Sequence, residues 1–372
     1  MVGKYFCMAP FTHLAIDAQS RVRPCCMFYP TIYDKEYKSI TDIFDSDENK
    51  NLRQKMLDGE KILECNKCYI DESIGKESYR LRFNKRYYSE KNIVEPKIKE
   101  LELALGNKCN LRCVTCNGYY SSAWEKTDKI LNNLIPRKIH KKPSVSIDDN
   151  FLDYDFSELK ELKILGGEPF MYPEYVNFFE KLSANNITLF LVTNATFFPK
   201  KEFLDSILKF KKIKINISID GIDDVGEFVR YGIKFSKFEK NFKRWLNISE
   251  NVPKLKVIPH LVIHNFNILS INDTYKWLRK FFDTDCFLSY DFLDSPEYLN
   301  IKYLPKSTKK IILDYVKNGF FNNLVENFLG DAKQNNEVNL NFLKYYNFLN
   351  TVTEIPEISK IIIKDVKKNV EK

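Results

Sequence analysis

The chain is predicted to be an α/β protein built on a parallel sheet, with a small cysteine-bearing module ahead of the sheet and a helical tail behind it. Three observations predict this. Short apolar segments recur as ELELAL, LKILGG, TLFLVTN, KINISID, KVIPHLVI and CFLSYDFL, with amphipathic helical text between them. Alternation of this kind favours parallel strands joined by right-handed crossovers. Before them a strand, a polar turn, a second strand and a helix end in a Cys-x-x-Cys pair, and after about residue 305 the text turns helical and lysine-rich. The expected boundaries are 1–92 for the first module, 93–305 for the sheet and its helices, and 306–372 for the tail. At 372 residues with 44% hydrophobic content, the chain can supply cores for all three.

The first module opens with CMAPFTHLAIDAQSRVRPCC, a hairpin signal that brings Cys7 beside Cys25 or Cys26. A helical stretch, SITDIFDSDENKNLRQKMLDGE, then delivers ECNKC, with thiols at Cys65 and Cys68. Four thiolates converge and one cysteine is spare. A closed four-thiolate site suits zinc as well as an iron–sulfur cluster.

The first strand of the sheet runs into GNKCNLRCVTCNG, which carries Cys109, Cys113 and Cys116. Three thiolates at this spacing can hold three corners of a cubane cluster and leave the fourth iron open. Structural zinc would want four ligands, and His13, His140, His260 and His264 lie far from this run in sequence. A disulfide would leave one thiol over. The second strand meets Gly166, Gly167, Glu168 and Pro169, where two residues without side chains admit a close approach and the proline stiffens the turn. The third strand ends at Asn194. Alternation along the fourth puts Asn216, Ser218 and Asp220 on one face, and Arg230 follows in FVRYGIKF. Each of these also has a plain structural reading, as a tight turn, a helix cap or a surface ion pair. Their order after a cysteine triplet speaks for a common site.

Over about residues 97–305 this succession resembles the radical S-adenosylmethionine (SAM) enzymes, whose fold is a partial (β/α)6 TIM-like barrel. The resemblance implies that Cys109, Cys113 and Cys116 bind a [4Fe-4S] cluster whose fourth iron is chelated by the amino and carboxylate groups of SAM. It further implies that Gly166, Gly167, Glu168 and Pro169 receive the SAM amino group, that Ser218 and Asp220 face its ribose or methionine portion, and that Arg230 pairs with its carboxylate, a partner suited to a planar guanidinium. Asn194 would belong to the same ring of strand ends, where barrel active sites gather. The family pattern has an aromatic before the third cysteine; here Thr115 stands there.

The N-terminal pattern resembles the twitch and SPASM auxiliary-cluster modules of the same family, placed before the barrel where most relatives carry it after. That implies one auxiliary [4Fe-4S] cluster on Cys7, Cys25, Cys65 and Cys68, with Cys26 a packed neighbour. Cys286 reads as a buried strand cysteine. Tyr290, Asp291, Glu297 and Tyr298 follow the last strand and line a substrate pocket or simply make a loop and helix start.

The activity implied is reductive cleavage of SAM to a 5′-deoxyadenosyl radical that takes a hydrogen atom from a small-molecule or peptide substrate. The auxiliary cluster would assist oxidation or hold the substrate, and flavodoxin or ferredoxin would supply electrons. No winged-helix segment for a leader peptide stands out, which favours the small molecule. Two competing classes are an iron–sulfur electron-transfer protein without SAM cleavage and a zinc-stabilised RNA-binding protein. Formal charge is +8, but the lysine runs RKIHKK and KFKKIKIN read as solvated faces rather than a nucleic-acid surface. No signal peptide and no apolar run of membrane length is visible, so the expected setting is the cytoplasm, where thiols stay reduced.

Overall fold

The structure is a computed structural model that describes residues 3–29, 37–73, 75–89, 95–135, 152–283, 288–330 and 332–371; Cys286 and His140 lie outside them. Its strands are β1 (His13–Ile16), β2 (Val22–Arg23), β3 (Glu100–Leu103), β4 (Arg112–Cys113), β5 (Glu161–Ile164), β6 (Thr188–Thr193), β7 (Lys212–Ser218), β8 (Arg230–Tyr231), β9 (Leu255–Ile263) and β10 (Ser289–Phe292). The six predicted strands are β3, β5, β6, β7, β9 and β10. The chain divides into two compact units, one of residues 1–108, 140–192 and 199–214, the other of residues 109–139, 193–198 and 215–372. The expected boundary near residue 92 falls inside the first unit and that near 305 inside the second.

In the first unit the strand order is β2-β1-β3-β5-β6. The expected hairpin is present, with Ala15 opposite Arg23. Its first strand also pairs in parallel with β3, Leu14 beside Leu101 and Ile16 beside Leu103. All four β1 residues are buried, as a strand covered on both faces must be. The hairpin therefore extends the sheet. Leu101, Leu103, Leu162, Ile164, Leu189 and Leu191 fill one face at no more than 1% exposure, each contributing about 1.5–3 kcal/mol of apolar burial. The helix Glu174–Glu180 is tied to β3 by Tyr175, whose hydroxyl donates to the Leu103 carbonyl (3.3 Å) and accepts from the Leu105 amide (3.1 Å). Serine caps start the N-terminal helices: Ser46 accepts from Asn49 N for Asp47–Leu57, and Ser78 from Leu81 N for Tyr79–Tyr87.

In the second unit β7, β9 and β10 are successive neighbours, with Ser289 beside His260 and Phe292 beside Ile263. The tail helices Lys306–Val316, Asn322–Leu329, Asn336–Asn350 and Glu357–Val370 share one core with this sheet: Ile312, Phe342, Tyr345 and Ile362 are fully buried in the cluster that holds Val114, Leu261 and Ile263. Among the described residues no helix is long and apolar enough to cross a membrane.

Candidate functional site

The cysteine loop is held from several sides within the second unit. The Cys109 amide donates to Ser122 Oγ (3.2 Å), and Trp124 Nε1 donates to the Cys113 carbonyl (3.0 Å). A short antiparallel ladder between β4 and β8 sets Cys113 directly across from Arg230, and Val114 N donates to Val229 O (2.9 Å). This register places the guanidinium beside the thiols. Burial drives the Cys113 thiol up to about 11, while the Arg230 charge works against that rise. Cys116 is driven up by burial and then by the charge of Cys113, and Cys109 acts on both. All three cysteines are half-buried.

Arg230 is fixed by Asp220. Arg230 NH1 donates to Asp220 Oδ2 (2.7 Å), while Asp220 Oδ1 accepts from Val262 N (2.9 Å). The carboxylate is 2% exposed, so both oxygens are engaged inside the protein. Asp220, expected to face SAM, has both carboxylate oxygens bonded within the protein, one of them to Arg230. Arg230 Nε is buried without a hydrogen-bond partner among the described residues, and so is Oδ1 of Asn216 on β7. Asn194 also turns inward on the protein. Its Oδ1 accepts from Thr196 N (2.9 Å) and Oγ1 (2.6 Å), and its Nδ2 donates to Asn110 Oδ1 (3.1 Å) and lies 3.9 Å from Cys109 Sγ. Ser218 ends β7 half-buried.

Gly166 and Gly167, in the first unit, both have positive φ, +80° and +39°, a conformation that favours glycine. What approaches them is protein: a Cβ at Gly167 would strike the Lys108 carbonyl, and one at Gly166 the Ala104 side chain. Glu168, fully buried, donates its amide to the same Lys108 carbonyl (2.9 Å). The 166–169 turn therefore braces the segment that leads into the cysteine loop. Pro169 begins a single 3-10 turn, Pro169–Met171.

Cys7, Cys25, Cys26 and Cys65 collect in a cluster with Phe6, Phe11 and Phe28. Cys7, Cys25 and Cys68 are buried, Cys26 and Cys65 half-buried, and all are free. Burial pushes the Cys7 thiol up, and the charges of Cys65 and Cys68 add to the rise; Cys65 reaches about 12 by burial and the charge of Cys68. Cys26 is raised by the hydrogen bond to Cys25, and its other electrostatic partners include Glu102 and His13 rather than the remaining cysteines. Arg80 stands near Cys7 but is spent on Glu72 and on the Lys4 and Phe6 carbonyls.

Among the described residues no three His, Cys, Asp or Glu side chains are set to hold a single metal ion. A cubane distributes its thiolates over different irons and asks for thiols gathered without touching. The two free thiol groups fit that demand, and the unpartnered Arg230 Nε fits a ligand carboxylate beside the first.

One contact had no signal in the sequence. Tyr345, on the tail helix Asn336–Asn350, donates its hydroxyl to the Val114 carbonyl inside the cysteine loop (2.7 Å). Of the residues expected after the last strand, Tyr298 is buried against Tyr345 (5.1 Å) and Tyr290 packs on Phe321, whereas Asp291 and Glu297 are exposed.

A family model described as the radical SAM superfamily matches residues 103–278, and one described as an iron-sulfur cluster-binding domain, SPASM, matches residues 7–69. The chain is 26% identical over 166 residues to GTP 3′,8-cyclase of Desulforamulus reducens, across 43% of this chain and 46% of that protein, so it spans about half the length of the curated relative. Among solved structures, anSMEcpe with bound AdoMet is 18% identical over 67% of this chain and 57% of its own, with a TM-score of 0.35. SuiB of Streptococcus suis, bound to the precursor peptide SuiA, is 16% identical over 80% of this chain and 67% of its own, with a TM-score of 0.37. With both family models matching in the order the cysteine motifs suggested, the chain carries a radical SAM domain, whose cofactors are SAM and a [4Fe-4S] cluster, with an auxiliary iron–sulfur SPASM domain ahead of it.

Proposed function

We propose that this protein is an enzyme that reductively cleaves SAM and abstracts a hydrogen atom from a small-molecule or peptide substrate, with one auxiliary [4Fe-4S] cluster assisting oxidation or substrate binding. The observation that carries the reading is Arg230: in cross-strand register with Cys113, held by a buried Asp220, and left with a buried donor unpaired among the described residues. When bound, SAM and its cluster supply one-electron cleavage of a carbon–sulfur bond, yielding methionine and a 5′-deoxyadenosyl radical.

The chain's own residues set the stage for that chemistry. Cys109, Cys113 and Cys116 hold the cluster as thiolates, which loading must deprotonate; the Arg230 charge beside Cys113 helps against the burial that opposes it. Arg230 would bind the SAM carboxylate, with Asp220 holding the guanidinium in place. Ser218 would face the ribose or methionine, and Asn194 steadies Cys109. Cys7, Cys25, Cys65 and Cys68 hold the auxiliary cluster. Flavodoxin or ferredoxin in the cytoplasm supplies the electron.

Anaerobic reconstitution with iron and sulfide, followed by dithionite and SAM, tests this reading. The expected result is about eight irons per chain and release of 5′-deoxyadenosine. Iron without nucleoside would make the chain an electron-transfer protein and overturn the proposal.

A further inference from the structure

The face of the first unit's sheet opposite the leucine row is charged. Along β3, β5 and β6 the half-buried positions are Glu100 and Glu102, Glu161 and Lys163, Thr188 and Phe190, and Lys214 on β7 continues the row. A face meant only for packing would carry apolar side chains there, as barrel interiors do. Nor are the charges simply mutual. Arg86 bridges Glu100 and Glu161, and Tyr87 adds a hydroxyl to Glu100 (2.7 Å). Lys163 reaches Glu102 (3.3 Å), which His13 also faces (3.8 Å). Every carboxylate of the row is thereby matched with a cation. Lys214 is not matched: its ammonium lies over the Phe190 ring at 4.4 Å, and no carboxylate pairs with it among the described residues. Lys163 stands beside Phe190 in the β5–β6 register. Lys214 therefore stands at the ring as an ammonium with no carboxylate of its own among the described residues, while Lys163, its neighbour across the ring's strand, is engaged by Glu102.

We propose that Lys163, Phe190 and Lys214 form a substrate-binding face that takes an anionic group, a carboxylate or a phosphate, with a flat or apolar part of the same molecule against the ring. The inference rests on the reading of the chain as an enzyme and names a chemical class for its substrate. A half-buried ammonium with only a ring for company gains less than one that makes a charge-assisted hydrogen bond to a ligand oxygen. Lys214 comes from KFKKIKIN, the run that reads from sequence as a solvated face; it shares its face of β7 with Lys212, but Lys212 begins the strand and stays exposed while Lys214, two residues further in, is half-buried.

The test is footprinting of the reconstituted full chain. Reductive methylation of lysines is followed by mass spectrometry while inorganic phosphate, or glutarate, replaces chloride at constant ionic strength. Lys214 and Lys163 should be protected and the exposed Lys240 should not, with phosphate or glutarate the stronger probe according to which anion the face takes. In Lys214→Met, protection of Lys163 should need roughly tenfold more anion. No protection by either probe, or equal protection at Lys240, overturns the inference; the unmodified chain decides this even where the variant does not fold. The footprint requires no SAM cleavage. Protection without 5′-deoxyadenosine formation would therefore remove the enzyme reading alone, and nucleoside formation without protection would remove this inference alone.

Discussion

Cys109, Cys113 and Cys116 sit half-exposed on a loop with a guanidinium that has one buried donor unpaired among the described residues, whereas Cys7 and Cys25 are buried among aromatic side chains, and the guanidinium near Cys7 is tied to Glu72 and to the Lys4 and Phe6 carbonyls. Burial raises Cys113 and Cys116 in the first group and Cys7 and Cys68 in the second. They differ in what else is available. Three thiols and an unspent cation leave room for an anionic ligand; more thiols, an apolar wall and a spent cation leave none. A closed set suits a cluster that stays put and passes electrons, and an open set suits one that binds a cosubstrate.

The sharpest way to break this contrast is to remove one thiol set at a time. Replacing Cys109, Cys113 and Cys116 together by alanine should abolish 5′-deoxyadenosine formation while about four irons per chain remain on the N-terminal set; nucleoside formation at the unmodified rate would show that the loop is not the reactive centre. Replacing Cys65 and Cys68 by alanine should likewise cost about half of the iron, counted after anaerobic reconstitution. An unchanged iron count would mean that the buried thiols hold no cluster and that the contrast is between a cluster site and an apolar core.

A smaller effect should come from the cation. Arg230→Met removes a charge-assisted contact of about 2 kcal/mol, so SAM should bind roughly thirtyfold more weakly in equilibrium dialysis. The double variant Arg230→Met with Asp220→Asn avoids leaving a buried carboxylate unpaired, which by itself is destabilising. Equal SAM affinity in that double variant and the parent would assign Arg230 to the loop's architecture alone. Arg230→Lys, with a point charge in place of a planar fork, should fall between.

These contrasts were unequally legible in the sequence. Period-two alternation showed β6 and β7 because one face of each strand is fully buried, and the cysteine spacing is local by nature. The parallel pairing of β1 with β3 was invisible, because a hairpin signal reports only neighbours in the chain while this pairing spans more than eighty residues. The glycine pair reads as room for a close approach, but the sequence does not show that the Lys108 carbonyl, 59 residues upstream of Gly167, makes that approach. Asp220 was legible as one of a row on a single strand face but not as the partner of Arg230, a pairing held by the β9 amide that fixes its other oxygen.

The tail supplies the weakest and most specific test. Nothing in FLKYYNFLNTV distinguishes Tyr345 from an ordinary core aromatic, yet its hydroxyl reaches the Val114 carbonyl, between the second and third cysteines, across 231 residues of chain. That carbonyl is buried with Val114 at 1% exposure, so without the tyrosine it would lose a partner that water does not readily replace. Tyr345→Phe keeps the ring against Tyr298 and Phe266 and removes only the hydrogen bond. The expected cost is about 1 kcal/mol in denaturant unfolding, together with faster loss of iron from the loop to a chelator and unchanged loss from the N-terminal set. If both sets release iron at the parent rates, the tail contributes core and nothing to the loop, and the open centre owes its shape to Ser122, Trp124 and the β4–β8 ladder alone.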